Sequence, residues 1–278
     1  MKIEDYIVEA GSLCALPDTC QRIQELLECE KSSMDDIAEV LSYDPLLTSH
    51  VLKLANSALY NFSFQIDTVN KAVSVLGIDA IYNLVLASGT TEALGRLDTS
   101  AIDLDRHWRN SINAALIFKR FAKQAKFKNA DSLFVVGLLH NVGELIVAQV
   151  MPDLAAKCQS YTDNILPHDK QLEILGFTYA ELGASLFKYW KLPKFMVNLT
   201  LNQHIPGYST EQQMMHLATR LALLSTHPDM YVQEQLLEED VIKKLGYSQT
   251  EIDAAIDWAN IGAFSVFAIV NPVSNSIY

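Results

Sequence analysis

Apolar residues recur at helical spacing along almost all of this 278-residue chain, and this pattern constrains the fold more than any other feature. One amphipathic face is formed, at intervals of three and four residues, by Leu47, Val51, Leu54 and Ala58. No run of alternating apolar and polar residues is long enough to build a sheet, and only residues 264–270 are ambiguous between helix and strand. The sequence therefore predicts an all-α, multi-helical protein.

Capping residues, glycines and prolines indicate where the helices begin and end. Asp44 directly precedes Pro45, and an Asp cap followed by proline at the first helical position is a strong start signal. Ser33 precedes an acidic first turn, Gly246 is a candidate C-cap, and two short helices should meet near Tyr43. The other predicted helices span about residues 18–30, 67–77, 79–94, 104–126, 131–150, 169–175, 178–190, 193–203, 211–226, 233–244 and 249–259.

Composition and charge limit the class of protein. Half of the residues are hydrophobic and 19% are charged, which is the balance of a globular protein with a substantial core. The four cysteines form no C-x-x-C pair, so neither a zinc site nor a disulfide framework is predicted. The formal net charge of −12 argues against general nucleic-acid binding.

The sequence also lacks the signals of secretion and membrane insertion. Its N-terminus carries acidic residues instead of an apolar h-region, and no run reaches the roughly 18 apolar residues of a membrane span. We therefore expect a soluble, cytoplasmic protein with reduced cysteines, no nucleic-acid partner and no membrane partner. Its oligomeric state is not indicated.

One basic cluster interrupts the acidic background. It lies on a predicted helix and just beyond it, and consists of Lys119, Arg120, Lys123, Lys126 and Lys128. The first four recur at a spacing that gathers them on one side of the helix. This cluster is either a solvated helix face or a docking patch for an acidic partner or ligand, and the sequence leaves both open.

A short polar segment divides two strongly periodic halves. Residues 95–103 mix turn residues and charge, so we place a subdomain junction there. The first helical subdomain then extends to about residue 95, and the second begins at about residue 104. Residues 211–278 form a further helical segment that either completes or extends the second half.

Two polar residues interrupt the most apolar predicted helix. His140 and Asn141 lie between Gly137 and Val147 in a segment that is otherwise largely apolar. Burying such groups costs roughly 1–3 kcal/mol each unless they find partners. Either a metal ion or a hydrogen-bond network must therefore satisfy them.

Three segments together resemble one known family. They are DPLLTSHVLKLANSALYN at residues 44–61, GLLHNVGELIV at 137–147 and ELGASLFKYWKLP at 181–193. Their order and separations are similar to those of the HDOD family, whose members are related to the HD-type metal-dependent phosphohydrolases. The likeness covers roughly residues 13–210.

The resemblance implies an HD-like helical core in the C-terminal half and a family-specific N-terminal helical subdomain. It also implies a bacterial signalling or regulatory role, exerted by binding a protein partner or a small ligand such as a nucleotide, without hydrolase activity or cofactor. Two alternatives stay open: a divergent metal-dependent phosphohydrolase and a structural adaptor.

The same resemblance indicates which site positions have changed. Active HD hydrolases hold divalent ions with several histidines and with Asp carboxylates. By likeness, the corresponding positions in this chain are Asn110, His140, Asn141, Tyr179, Gln203 and His204. Only His140 and His204 keep a metal-binding side chain, and two neutral imidazoles rarely retain a divalent ion. No bound metal and no catalytic residue are predicted.

Two further interpretations concern single residues of these motifs. We expect His140 to be a buried structural histidine, with Asn141 or Tyr179 as its hydrogen-bond partner, or else part of a ligand pocket derived from the hydrolase site. Glu144 follows His140 by four residues, so the two can touch on one helix face.

The N-terminal motif carries its own alternatives. Asn56 and Ser57 either turn the chain before the aromatic residues that follow or, with Tyr60, form a recognition surface between the subdomains.

Overall fold

The computed structural model describes residues 2–11, 15–29, 32–57 and 59–270. Within these ranges the protein is all-helical, as predicted, and it contains no strand beyond an isolated bridge between Thr162 and Ile165. The helices are α1 (Ile3–Gly11), α2 (Asp18–Glu28), α3 (Met34–Ser42), α4 (Pro45–Ala55), α5 (Val69–Leu76), α6 (Ile78–Leu94), α7 (Leu104–Gln124), α8 (Ala130–Leu139), α9 (Val142–Val150), α10 (Pro152–Cys158), α11 (Pro167–Leu175), α12 (Tyr179–Tyr189), α13 (Lys194–Leu201), α14 (Thr210–Thr226), α15 (Gln233–Leu236), α16 (Glu239–Leu245) and α17 (Gln249–Val270).

The predicted helix boundaries hold where capping chemistry is strong. The Asp44 carboxylate accepts a hydrogen bond from the Leu47 amide at 3.0 Å and caps α4, with Pro45 in the first helical position. Ser33 forms a full capping box at the start of α3. Gly246 ends α16 in the left-handed conformation, with φ of 73°. These three predictions are confirmed.

Other boundaries differ from the prediction. The helices α1 and α10 were not expected, and the segment predicted as one helix over 233–244 forms two short helices, α15 and α16. The helix α17 continues to Val270, so the ambiguous segment 264–270 is helical. Ala58 and Cys14, which entered the sequence argument, lie outside the described residues.

The chain divides into two compact units. The first contains Met1–Leu13 and Leu97–Ala263, and the second contains Cys14–Arg96 and Phe264–Tyr278. The boundary between Arg96 and Leu97 falls in the segment 95–103, which contains no helix. The helices α14, α15 and α16 belong to the first unit.

The first unit is built around α7, which packs against both α8 and α14. Its close helix contacts depend on glycine. A Cβ atom at Gly137 would lie 2.6 Å from the Cα of Ala115, so α8 approaches the backbone of α7 more closely than any other residue permits. Likewise, a Cβ atom at Gly143 would lie 2.3 Å from the carbonyl oxygen of Tyr179, where α9 meets α12. These contacts fix the helix ends that carry the polar residues of the motifs.

One helical stretch of the described residues is long and apolar enough to cross a membrane by length and composition. It is Ala130–Val150, with a mean hydropathy of 1.7, and 83% of it is buried inside the protein. Its apolar side chains already form the core of the first unit.

The basic cluster does not form one surface. Lys119 is fully buried, and its Nζ atom lies 2.6 Å from the Asp131 carboxylate and 5.7 Å from the ring of Phe134. Burial lowers the pKa of Lys119 to about 8. The expectation that Lys119 shares an exposed face with its basic neighbours is wrong, because the helix periodicity around it also serves the core. Arg120 is half-buried and lies over the ring of Trp258, while Lys123 is exposed.

Candidate functional site

The helix that was predicted to run through His140 and Asn141 is broken at these two residues. His140 ends α8 with φ and ψ of −56° and −31°, and Asn141 departs from helical geometry with φ and ψ of −109° and 19° before α9 begins. The prediction of one helix over 131–150 is therefore wrong. Both flanking segments are apolar and helical, so their periodicity gave no sign of the bend. The polar pair lies at a helix junction, where backbone groups need partners.

The six positions identified by resemblance lie around one cavity in the first unit. They come from α7, the junction of α8 and α9, the start of α12 and the connection between α13 and α14, and they are Asn110, His140, Asn141, Tyr179, Gln203 and His204. The cavity measures about 80 Å³. Since one water needs roughly 10–15 Å³ of such space, the cavity holds several waters or a small ion.

His140 is locked in one neutral form by its neighbours. Its Nδ1 atom lies 2.7 Å from the carbonyl oxygen of Gly137, so Nδ1 carries the proton and Nε2 is an acceptor. The side-chain nitrogen of Asn110 approaches Nε2 at 3.4 Å. Burial lowers the pKa of His140 to about 4. The expected bonds to Asn141 or Tyr179 are not formed, so that part of the prediction is wrong.

A hydrogen-bond network occupies one side of the cavity. We call it the Glu144 network, and it consists of Glu144, His107, Asn141 and Gln159. His107 Nδ1 lies 2.6 Å from the carboxylate, and the side-chain amides of Asn141 and Gln159 each donate to it at 2.7 Å. Burial alone would raise the pKa of Glu144, but the hydrogen bonds from His107 and Gln159 and the nearby positive charge of Arg106 together outweigh it and lower that pKa.

The partner of Glu144 differs from the one that the sequence spacing favoured. The carboxylate bonds to His107 on α7, 37 residues earlier in the chain, and not to His140 one helical turn before it. His140 ends α8 before the bend, which carries its ring away from the face of α9. Arg106 extends the network by a hydrogen bond to Gln159.

The opposite side of the cavity is organised differently. We call it the Arg220 face, and it consists of Arg220, His168 and His204. The two imidazole rings stack with centroids 4.3 Å apart and planes within 8°. Burial, followed by the nearby positive charge of Arg220, lowers the pKa of His168 to about 4, and burial holds the pKa of His204 well below its usual value. Both rings are therefore neutral near pH 7.

The guanidinium group of Arg220 has no close hydrogen-bond acceptor in the described part of the chain. No carboxylate oxygen lies within 4.0 Å of it, and no hydrogen bond involves its guanidinium group among these residues. Glu238 and Asp169 act on it only through longer-range attraction, and burial lowers its pKa. An arginine remains charged even so. The cavity thus contains a cation that is partly removed from water and has no ion-pair partner.

Two amide side chains of the lining direct their nitrogen atoms at His140. The Gln203 side chain donates to the backbone carbonyl of His140 at 2.9 Å, which leaves its oxygen as an unpaired, buried acceptor. Asn110 is oriented in the same way, because its nitrogen faces the acceptor Nε2 of His140 and its oxygen finds no hydrogen bond.

Several residues of the cavity were missed by the sequence argument. His107 was not among the predicted positions, but it lines the cavity together with Asn110, one helical turn apart. The cavity is also lined by His168, His227 and Arg220, so five of the seven histidines of the chain line it. Residues 219, 220, 223 and 227 of α14 and its C-cap share one face, and this spacing was the available signal.

The residues proposed for a partner surface in the second unit make local contacts. The Asn56 side chain donates to the carbonyl oxygens of Leu52 and Ile66 and accepts from the Ile66 amide at 2.8 Å. Ser57 is buried and bonds within the same turn. Tyr60 is half-buried and stacks on Phe62 at 5.9 Å. These contacts match the structural interpretation of Asn56 and Ser57, and a recognition role for the three residues stays a prediction.

The donor set around His140 does not fit a divalent metal ion. Glu144 is the single carboxylate that lines the cavity, and three side chains already bond to it. Both ring nitrogens of His140 face protein groups. Within the described residues, no three His, Cys, Asp or Glu side chains are grouped so that they could hold a metal ion.

Comparison with known proteins identifies the family of this chain. The family model of the HDOD domain matches residues 13–206, which is most of the chain. This chain belongs to the HDOD family. An uncharacterised protein of Treponema pallidum is 28% identical to this HDOD chain over 207 residues, which cover 73% of the chain and 40% of that protein. The chain thus spans less than half the length of this curated relative.

Two solved structures share the HDOD fold over nearly the whole chain. An HDOD domain protein of unknown function from Geobacter sulfurreducens is 22% identical, with a TM-score of 0.73, and covers 97% of this chain and 99% of that one. A protein from Shewanella amazonensis, provisionally named a phosphohydrolase, is 25% identical, with a TM-score of 0.67, and covers 98% and 94%.

Proposed function

We propose that this HDOD protein is a regulatory protein of bacterial signal transduction that acts in the cytoplasm. In this proposal it works by binding a small ligand or a partner protein and hydrolyses neither. The observation that carries the proposal is the Glu144 network. Three of the lining side chains are neutral amides, those of Asn110, Asn141 and Gln203. The one carboxylate among the described lining residues, that of Glu144, already accepts hydrogen bonds from three donors. Metal-assisted hydrolysis requires at least three ligands that are free to hold the ion, and here the ring nitrogens of His140 and the carboxylate of Glu144 already face protein groups.

The polar lining of the cavity supports a binding role. Protein interiors are usually close-packed, and a site without use would be expected to fill with apolar side chains. Here the cavity is lined instead by two arginines, a carboxylate and five histidines. A polar cavity with convergent hydrogen-bonding groups is the usual form of a ligand site.

The size of the cavity limits the ligand. Its volume of about 80 Å³ is well below the roughly 300–1,000 Å³ that enclose drug-sized molecules. A whole nucleotide therefore does not match the site in this conformation, and a ligand of a few heavy atoms does.

The alternative is a divergent phosphohydrolase. It is favoured by the provisional name of the Shewanella amazonensis protein and by the bond between His107 and Glu144, since a carboxylate beside a histidine is how general bases are built. The two functions differ in their need for metal, so metal binding distinguishes them.

Metal analysis and hydrolysis assays on the full chain test the proposal. The protein is dialysed against Mn²⁺ or Zn²⁺, freed of excess ion, analysed by mass spectrometry for metal, and assayed with phosphomonoesters and nucleotides. We expect far less than one equivalent of metal and no turnover.

One outcome of these assays would contradict the proposal. Stoichiometric metal that supports turnover, and that is lost in His140→Ala but kept in His50→Ala, would establish the hydrolase instead. His50 is a suitable control because it lies in the second unit, outside the cavity.

A further inference from the structure

We propose that the Arg220 face binds a phosphate-sized oxyanion, either inorganic phosphate or the phosphoryl group of a small metabolite. This inference rests on the proposed function, because it names the chemical class of the ligand that the cavity takes. It is argued from the charge, the hydrogen-bond donors, the unpaired acceptors and the volume of the cavity.

The charge of the lining favours an anion. Arg106 and Arg220 contribute two guanidinium groups, and Glu144 is the one carboxylate among the lining residues. Glu144 is already matched by its own donors, so it does not compensate Arg220. A partly desolvated cation without a partner is unfavourable, and a bound anion would remove that cost.

The Arg220 face carries several hydrogen-bond donors along the cavity. A neutral imidazole presents one N–H donor, and no hydrogen bond to His204 is formed by any described residue. His168 lies stacked on it, with only a distant approach of 3.7 Å to Asp169. Together with the fork of N–H groups of Arg220, these rings supply several N–H donors to the cavity lining. A tetrahedral oxyanion accepts in this way, and arginine is the residue that best matches its geometry.

The unpaired acceptors favour an oxyanion that also carries a proton. The side-chain oxygens of Gln203 and Asn110 are fixed as acceptors by the contacts of their nitrogens with His140, and both residues line the cavity. A phosphoryl group near neutral pH is partly protonated and can donate as well as accept. Sulfate is fully deprotonated and can only accept. The site should therefore prefer phosphate to sulfate.

The volume agrees with this class of ligand. A phosphate group displaces a few water molecules, and the cavity of about 80 Å³ holds several at roughly 10–15 Å³ each.

Calorimetric titration of the full chain with inorganic phosphate tests the inference. The buffer contains Tris chloride at constant ionic strength and no other oxyanion. We expect saturable binding of one phosphate per chain, and sulfate should bind at least several-fold more weakly. The loss of the charge-assisted bonds in Arg220→Gln should weaken phosphate binding roughly 10–100-fold.

The control variant is Arg22→Gln. It removes the same charge from an exposed arginine of the second unit, whose partner is Glu25 on the same helix. Its phosphate affinity should equal that of the parent. Arg220→Lys keeps the charge but loses the fork geometry, and it should give an intermediate affinity. This variant keeps the test decisive if Arg220→Gln fails to fold.

Further titrations separate the sources of the anion. Binding of glycerol phosphate as tightly as inorganic phosphate would support a metabolite, and binding of inorganic phosphate alone would support the free ion. No saturable phosphate binding, equal affinity in Arg220→Gln, or equal affinity for sulfate would overturn the inference.

The proposed function can be contradicted independently of the phosphate-binding inference. It is contradicted by metal-dependent turnover, whichever anion binds, and it survives if phosphate does not bind but another small molecule raises the unfolding temperature of the protein.

Discussion

The two sides of the cavity use the same kinds of residue in opposite ways. In the Glu144 network the carboxylate accepts from three donors within the chain, and the hydrogen bond from His107 joins α7 to α9 at 2.6 Å. On the Arg220 face, the two histidines and the arginine form no hydrogen bond among the described residues, and the one carboxylate oxygen within 4.0 Å of them there is that of Asp169, 3.7 Å from His168. Glu144 and His107 are buried, whereas the three residues of the Arg220 face are half-buried.

The comparison separates residues that hold the fold from residues available to a ligand. A buried polar network that is fully satisfied stabilises one structure, and losing any member leaves its partners unpaired. A buried charge without a partner contributes little to stability and is retained at a cost. We therefore expect substitutions in the Glu144 network to lower stability, and substitutions on the Arg220 face to alter binding instead.

The largest expected effect is that of Glu144→Ala. It removes the acceptor of three hydrogen bonds, one of them from the buried His107, and a buried donor left unsatisfied costs about 1–3 kcal/mol, so we expect a loss of roughly 3–5 kcal/mol. Urea unfolding followed by circular dichroism measures the free energy of unfolding. The matched control is Glu173→Ala, which removes an exposed carboxylate paired with Lys170 and should cost no more than about 1 kcal/mol. A loss below about 1 kcal/mol for Glu144→Ala would contradict the structural role of the network.

The second prediction concerns pH and rests on two histidines that line the cavity. Burial lowers the pKa of His140 and of His168 from 6.5 to about 4 in the folded protein. The unfolded chain therefore binds more protons between pH 6.5 and pH 4, so the stability present above pH 6.5 is lost as the pH falls. The two histidines together should lower the free energy of unfolding by roughly 2–4 kcal/mol between pH 7 and pH 5.

The variant His168→Gln isolates the contribution of one of these two histidines. It should reduce the pH dependence by roughly 1–2 kcal/mol and leave the contributions of His140 and of the other histidines whose pKa burial lowers, such as His204. Unfolding midpoints measured at pH 5, 6 and 7 provide the comparison. A stability that stays constant from pH 7 to pH 5 would show that these histidines are not held neutral by burial.

The third prediction tests the helix contact that positions the Glu144 network. In Gly143→Ala the new Cβ atom would meet the backbone of Tyr179 at 2.3 Å, so α9 and α12 must separate. Overpacking of this kind costs about 1–3 kcal/mol. Gly183→Ala is the control, because its Cβ atom would first meet a side-chain methyl group of Val142 at 3.0 Å, and this neighbour can adjust. Equal effects in thermal unfolding would contradict the close backbone approach at Gly143.

The smallest expected effect on stability is that of Arg220→Gln. Since no described residue forms an ion pair with the guanidinium group, its removal should change the free energy of unfolding by less than about 1 kcal/mol, and a small gain is expected if desolvation dominates. Urea unfolding in phosphate-free buffer measures it. A loss above about 2 kcal/mol would place Arg220 among the structural residues and would remove the distinction between the two sides.

The sequence predicted the helices well where their ends carry caps. Asp44, Ser33 and Gly246 act through contacts within a few residues, so their roles follow from local chemistry. The bend at His140 and Asn141 was missed, because the apolar periodicity on both sides is helical and the bend depends on packing between α9 and α12. Lys119 was misplaced for a similar reason, since its burial depends on Asp131 of another helix.

The sequence by itself determined that the chain is all-helical, and its three motifs already indicated the family. It also identified six positions that the fold brings to one cavity. Only the tertiary structure decided which groups bond to one another. His107 meets Glu144 across 37 residues, and His168 meets His204 across 36, because partners in a packed core are set by the arrangement of helices and not by spacing along the chain. For the same reason, Arg220 acquired its significance only when the fold placed it in a cavity without a counterion.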